Sequence, residues 1–160
     1  MNTFFRFFLW LVIVGSPYAV AAQEEASQLK IGDPAPPIKV AEWVKGSAVN
    51  SFGKGKIYVV EFWATWCLPC IAGMPHLSEL ASKYKNDVTV SGVSVWERKT
   101  TSPARIKSFV DSMDSKMAYN VATDDSSFMG DNWLKASGTR GSGRCTFYKE
   151  SYHTCNRSRL

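Results

Sequence analysis

The sequence predicts an α/β domain in which a parallel central sheet, flanked by helices, is entered through a short N-terminal hairpin. Three observations carry that prediction. Ile57-Tyr58-Val59-Val60-Glu61-Phe62-Trp63 is a nearly unbroken apolar run of strand length, the pattern of a strand covered on both faces. Strand-like and helix-like stretches then alternate along the rest of the chain, which calls for parallel strands joined by right-handed crossovers. Finally, Cys67-Leu68-Pro69-Cys70 stands where that first buried strand hands over to a helix.

Each element has its own signal. Gly32-Asp33-Pro34-Ala35-Pro36-Pro37 stiffens the entry, because proline fixes φ and withholds a donor. Ile38, Val40 and Val44 to Val49 read as two small strands of a hairpin, with Gly53-Lys54-Gly55-Lys56 as the loop before the main sheet. After the cysteines, Leu77, Leu80, Ala81 and Tyr84 fall at i, i+3, i+4 and i+7 and give one apolar helix stripe, and Pro75 predicts a kink a turn after the start. Val88 to Val95 alternates as a strand. Ser102 suits an N-cap and Pro103 the first helical position, ahead of the face Ile106, Phe109, Val110 and Met113. A third strand is expected over Tyr119 to Ala122, and a third helix over Phe128 to Ala136, closing at Gly138.

One domain fits 160 residues. Residues 1–22 read as a signal peptide: Arg6, an apolar run from Phe7 to Val14, a break at Gly15-Ser16-Pro17, and small residues for cleavage around Ala19 to Ala22. The run is shorter than the ~20 residues of a spanning helix, so the alternative of an uncleaved membrane anchor ranks second. Export is therefore expected, to a periplasmic or other extracytoplasmic compartment where disulfides persist. Residues 23–30 read as a flexible N-terminus, 31–141 as the domain, and 142–160 as an atypical, disordered tail. Of the formal +5, the last nineteen residues carry +3 (Arg144, Lys149, Arg157 and Arg159 against Glu150) and Arg6 one more. The domain itself is almost neutral and has no basic stripe, which argues against nucleic acid.

A helix starting at Cys67 aims its unpaired N–H groups and the positive end of its dipole at that sulfur. Cysteines so placed fall from a pKa near ~8.5 to roughly 3.5–7.5 and become nucleophiles at neutral pH. A purely structural bridge between residues this close would close almost no loop and stabilise little. Cys145 and Cys155, separated by nine residues, supply no second knuckle for zinc. No metal and no cofactor are expected.

Val60-Glu61-Phe62-Trp63-Ala64-Thr65-Trp66-Cys67-Leu68-Pro69-Cys70 resembles the active site of thioredoxin-fold proteins, and Gly32-Asp33-Pro34-Ala35-Pro36 resembles the entry of their exported redoxin branch. That branch holds the AhpC/TSA-related and TlpA/ResA-type thiol-disulfide oxidoreductases, and the resemblance covers roughly Ile31 to Gly141. It implies that Cys67 is an exposed attacking thiol and Cys70, one turn deeper, the resolving one, the two forming a redox-active disulfide. Glu61 takes the place of the buried acid of such proteins, where desolvation would let it accept a proton from Cys70; pairing with Lys56 or another lysine at the sheet end is the alternative. Trp66 would shield the thiols and meet substrate, or simply pack. Pro69 would constrain the turn between the cysteines. The implied partners are disulfide-containing exported proteins, such as apocytochromes, and an upstream electron donor. Peroxidase activity of the peroxiredoxin type ranks lower, since the Pro-x-x-x-Thr-x-x-Cys context is missing, and a non-catalytic thioredoxin-like remnant is the third reading.

The resemblance breaks at Gly141. Family members continue through a glycine to a cis-proline that holds the substrate backbone, then to an apolar strand, its hairpin partner and a last helix. Here no proline follows, and Leu160 is the sole aliphatic residue after Gly143. We read residues 142–160 as the product of a shifted frame that deletes the C-terminal strands, the cis-proline and the last helix; the competing reading is a genuine ending that adds one strand around Cys145 to Tyr148.

Overall fold

In the computed structural model, residues 28–30 and 32–138 are described in full, together with the backbone of 145–148 and 152–155. The expected signal peptide lies outside the described residues. Among those described, no helix is long and apolar enough to cross a membrane.

The apolar run forms strand β2, Ile57–Trp63, at the centre of the sheet. It pairs in parallel with β3, Val88–Ser94, from Ile57 opposite Val88 to Trp63 opposite Ser94. Strand β4, Asn120–Asp124, lies parallel on the far side of β3. Helix α1, Leu68–Lys83, links β2 to β3, and helix α2, Pro103–Met113, followed by a 3₁₀ turn at Asp114–Met117, links β3 to β4. The start of α2 follows its sequence: the Ser102 hydroxyl accepts from the Arg105 N–H at 3.2 Å, and Pro103 occupies the first turn. Helix α1 continues through Pro75, which costs the Ile71 carbonyl its helical donor.

The predicted N-terminal hairpin is not formed. One strand, β1 at Val40–Lys45, pairs antiparallel with β4, while residues 46–56 hold no strand. The unpaired outer edge of β4 offers a longer ladder than a hairpin would. The turn after β1 depends on Gly46, whose φ is +77° and where a Cβ would collide with Asn120; the same Asn120 side chain accepts from the Ser47 N–H at 2.8 Å.

The sheet is also mixed rather than parallel, and C-terminal strands are present. Strand β5, Cys145–Tyr148, runs antiparallel beside β2, and β6, Tyr152–Cys155, pairs antiparallel with β5. The strand order is β1-β4-β3-β2-β5-β6. The segment expected as a disordered tail thus supplies two strands, because backbone pairing along the open edge of β2 needs no aliphatic periodicity, and Thr, Phe and Tyr suit a pleated surface. No cis peptide bond occurs among the described residues, and the sequence has no proline after Pro103.

The third helix is π-helical over Gly130–Lys135. Its i→i+5 bonding, with the Ala136 N–H on the Asp131 carbonyl at 3.3 Å, lets residues four and five apart share a face, and Met129, Trp133 and Leu134 are all fully buried. Asp124 holds its entrance, accepting from the N–H groups of Met129 at 2.7 Å and Gly130 at 3.0 Å.

Two apolar layers cover the sheet. Val59 and Trp63 of β2 pack with Met74, Ile106, Val110, Met117 and Tyr119 under α1 and α2. Val60 and Phe62 pack on the other face with Val93, Met129, Trp133 and Leu134. The buried side of α1 is Cys70, Gly73, Met74 and Ser78, with Leu77, Leu80 and Ala81 partly covered. Tyr84, counted on the apolar stripe, is exposed instead, because the helix ends at Lys83 before that turn reaches the sheet.

Candidate active site

Cys67 is the N-cap of α1, its N–H donating to the Ala64 carbonyl at 3.0 Å and its carbonyl accepting from the Ile71 N–H at 3.0 Å. Pro69 lies in the first turn, where a missing N–H costs nothing. Cys67 and Cys70 are joined by a disulfide with Cα atoms 5.3 Å apart. Cys70 Sγ lies 3.8 Å from the Phe62 carbonyl oxygen. No acidic residue stands in the first turn of α1, so the positive end of the helix dipole is uncompensated beside Cys67.

Cys67 is not exposed as expected. It is 2% exposed and Cys70 3%, because Cys67 joins the core layer of Trp63, Ala64 and Met74, while Leu68 between them turns outward at 75%. A helical turn carries successive residues to different sides, so a cap that points inward sends its neighbour to solvent.

Glu61 is wholly buried in β2, and the Tyr119 hydroxyl donates to its Oε2 at 2.9 Å. Strand alternation puts it on the face of Val59 and Trp63, the layer that contains both cysteines. The alternative partner Lys56 is engaged elsewhere, its Nζ donating to the Asn86 carbonyl at 3.1 Å. Trp66 is half-buried against the same layer and donates from Nε1 to the Trp96 carbonyl at 3.2 Å. His76 lies on the exposed side of α1 beside Glu79.

Sequence reasoning missed Glu97. One carboxylate oxygen accepts from the Thr65 N–H at 2.7 Å and the Ser94 hydroxyl at 2.9 Å, and the other accepts from the Thr65 hydroxyl at 2.7 Å. The Val95 N–H adds a bond to the Trp63 carbonyl at 2.9 Å. The loop that delivers Cys67 is therefore strapped to the loop after β3. Trp96 takes a left-handed φ of 52° within that strap, and its indole lies over Gly130, where a Cβ would sit 2.5 Å from Nε1. An acid directly after a buried strand and a threonine two residues before the first cysteine were the available signals, but nothing local joins them.

A disulfide across the first turn of a helix, fed by the central strand of a mixed sheet with helices over it, defines a protein of the thioredoxin-fold class. The chain belongs to the AhpC/TSA family, whose profile matches residues 31–147 and so extends beyond Gly141 into β5. It is 40% identical over 121 residues to Protein FixW of Rhizobium leguminosarum, covering 70% of this chain and 52% of that protein. It is 30% identical over 125 residues to the thiol-disulfide oxidoreductase ResA of Bacillus cereus, covering 75% and 68%. Among solved structures, the thioredoxin domain of a thiol-disulfide oxidoreductase from Bacteroides vulgatus superposes with a TM-score of 0.62 at 25% identity, covering 83% of this chain and 91% of that one. The chain spans about half the length of the first curated relatives it matches.

Proposed function

We infer that the protein is a thiol-disulfide oxidoreductase, and the observation that carries this is the Cys67–Cys70 disulfide at the N-cap of α1. In the reducing direction, the Cys67 thiolate attacks one sulfur of a partner's disulfide and the partner's other sulfur leaves as a thiolate. Cys70 then loses its proton and attacks Cys67 Sγ. The reduced partner departs and the Cys67–Cys70 bond is re-formed. Glu61 acts as the acceptor of the Cys70 proton, with Tyr119 holding its carboxylate in place. Pro69 limits the turn, and Trp66 with exposed Leu68 forms the apolar ground on which the partner's chain rests.

The reading extends to an extracytoplasmic site of action, on the strength of the Phe7 to Val14 run and the small residues after it, with disulfide-bearing exported proteins as partners and a separate upstream electron donor. Insulin reduction with a dithiol donor, run beside peroxide consumption, tests it. Turnover of insulin that is lost in Cys67→Ser is expected, with no matching peroxide turnover. Peroxide turnover alone would make the protein a peroxidase with an antioxidant role, and inactivity in both assays would mark a non-catalytic member of the fold.

A further inference from the structure

Tyr119 reaches Glu61 across an intervening strand. Glu61 lies on β2 and Tyr119 immediately precedes β4, in the same buried layer as Val121, with β3 between the two. Neighbouring strands stand ~4.7–4.9 Å apart, so the tyrosine and glutamate side chains together bridge two such spacings. They meet over Gly92. That residue is directly opposite Glu61 and is the one glycine of β3. A Cβ there would sit 3.0 Å from Tyr119 Cε2, the ring carbon next to the one that bears the hydroxyl, and 3.2 Å from Trp63 Nε1. The missing side chain is the path of the ring.

We propose that Tyr119, delivered across Gly92, is a positioning residue that sets the pH at which Glu61 can take the Cys70 proton. Among the described residues, Glu61 is the one Asp, Glu, Lys, Arg or His side chain that is buried. Desolvation favours its neutral form, which cannot accept a proton; a hydroxyl donated to the carboxylate, here at 2.9 Å, favours the ionised form. Little else in the surroundings bears on that balance. The titratable side chains packed in the layer are Cys67, Cys70 and Tyr119. Every charged side chain of α1, α2 and the 3₁₀ turn is exposed, Lys45 of β1 is engaged by the Asp114 carbonyl at 2.9 Å, and Glu97 is held by Thr65 and Ser94. In the step itself the proton passes from Cys70 Sγ to Glu61, the freed thiolate attacks Cys67 Sγ, and the partner's sulfur leaves as a thiolate. Tyr119 keeps its own proton throughout.

This role rests on the part proposed for Glu61, and the test separates the two. The fully reduced chain, in excess over dithiobis(nitrobenzoate), releases one chromophoric thiolate on attack by Cys67 and a second on resolution by Cys70. The rate of the second release is followed against pH. In Tyr119→Phe, which keeps the ring, the midpoint of that profile is expected to rise by roughly 1–2 pH units, the worth of a hydrogen bond to a charged group, with the first release unchanged. Gly92→Ala is expected to move it in the same direction, and Gly92→Ala/Tyr119→Phe to add nothing further, because the methyl group acts through the hydroxyl. A merely structural role would lower stability and leave the midpoint in place. A parental midpoint in Tyr119→Phe overturns the proposal whether or not Gly92→Ala folds, and so does a second full shift in the double variant. Glu61→Gln reports on the underlying reading: a second release at the parental rate and pH dependence removes Glu61, and the proposal with it. A slowed release in Glu61→Gln beside an unmoved Tyr119→Phe midpoint overturns the role of Tyr119 alone.

Discussion

Thr65 gives both of its donors to Glu97: the backbone N–H and the hydroxyl each lie 2.7 Å from a carboxylate oxygen, across thirty-two positions of sequence. Replacing Glu97 with Ala strands a part-buried N–H and two hydroxyls at once. We expect a loss of about 1–3 kcal/mol in urea unfolding, and a smaller loss near ~1 kcal/mol for Thr65→Ala, which removes a single donor. Equal losses for the two variants would show that the hydroxyl alone holds the strap.

Glu61→Gln keeps an oxygen for the Tyr119 hydroxyl but removes the base assigned to Cys70. Release of partner from the Cys67 mixed disulfide should slow by roughly 10²–10⁴-fold in single-turnover measurements, with the initial attack little changed. Tyr119→Phe leaves the carboxylate in place and withdraws its donor, costing about 1.5–3 kcal/mol in thermal or denaturant unfolding. A Glu61→Gln chain that resolves at the parental rate would remove Glu61 from the reaction.

Gly130→Ala drives a methyl group to 2.5 Å from the Trp96 indole. Indole and backbone must both yield, at about 1–3 kcal/mol. Trp96→Phe in the same chain should recover part of that loss, a non-additivity read directly from a double-mutant cycle.

Burial raises the Asp124 carboxyl above its ordinary value of 3.8 and the like charge of Asp131 adds to the shift, while the N–H groups of Gly130, Met129 and Asp125 pull the other way. The folded state therefore holds this proton more tightly than the unfolded chain. The contribution is fully present below about 3.8 and is lost as pH rises through the higher folded-state value. The stability of the parent relative to Asp124→Asn should accordingly increase as pH falls from neutrality toward 4, measured by calorimetry on both chains. A difference that is flat or reversed across that range would contradict the assigned direction.

Where information is local, the sequence already carried the structure. Strand β2 matches its apolar run from Ile57 to Trp63, and α2 begins at Ser102 and Pro103 as their capping chemistry demands. Cys67 at a helix start was legible in the same way. What was not legible depends on partners far along the chain. β1 pairs with β4, which no pattern in residues 38–49 specifies. β5 and β6 lack aliphatic periodicity and are recognised by the open edge of β2 rather than by their own composition. The inward turn of Cys67 depends on the layer beneath it, and the Glu97 strap joins two loops that only the completed sheet brings together.

The contrast between Leu68 and its two neighbours has a consequence for selectivity. An approaching molecule meets hydrocarbon before sulfur, on a domain that is almost neutral, so encounter is governed by drying of an apolar patch and should vary little with ionic strength. A protein that can cover Leu68 gains roughly 1.5–3 kcal/mol, which offsets the work of opening the layer over Cys67. A small hydrophilic disulfide has no such compensation. Under the exchange chemistry proposed above, the expected outcome is a preference for disulfides set in apolar surroundings over small hydrophilic ones.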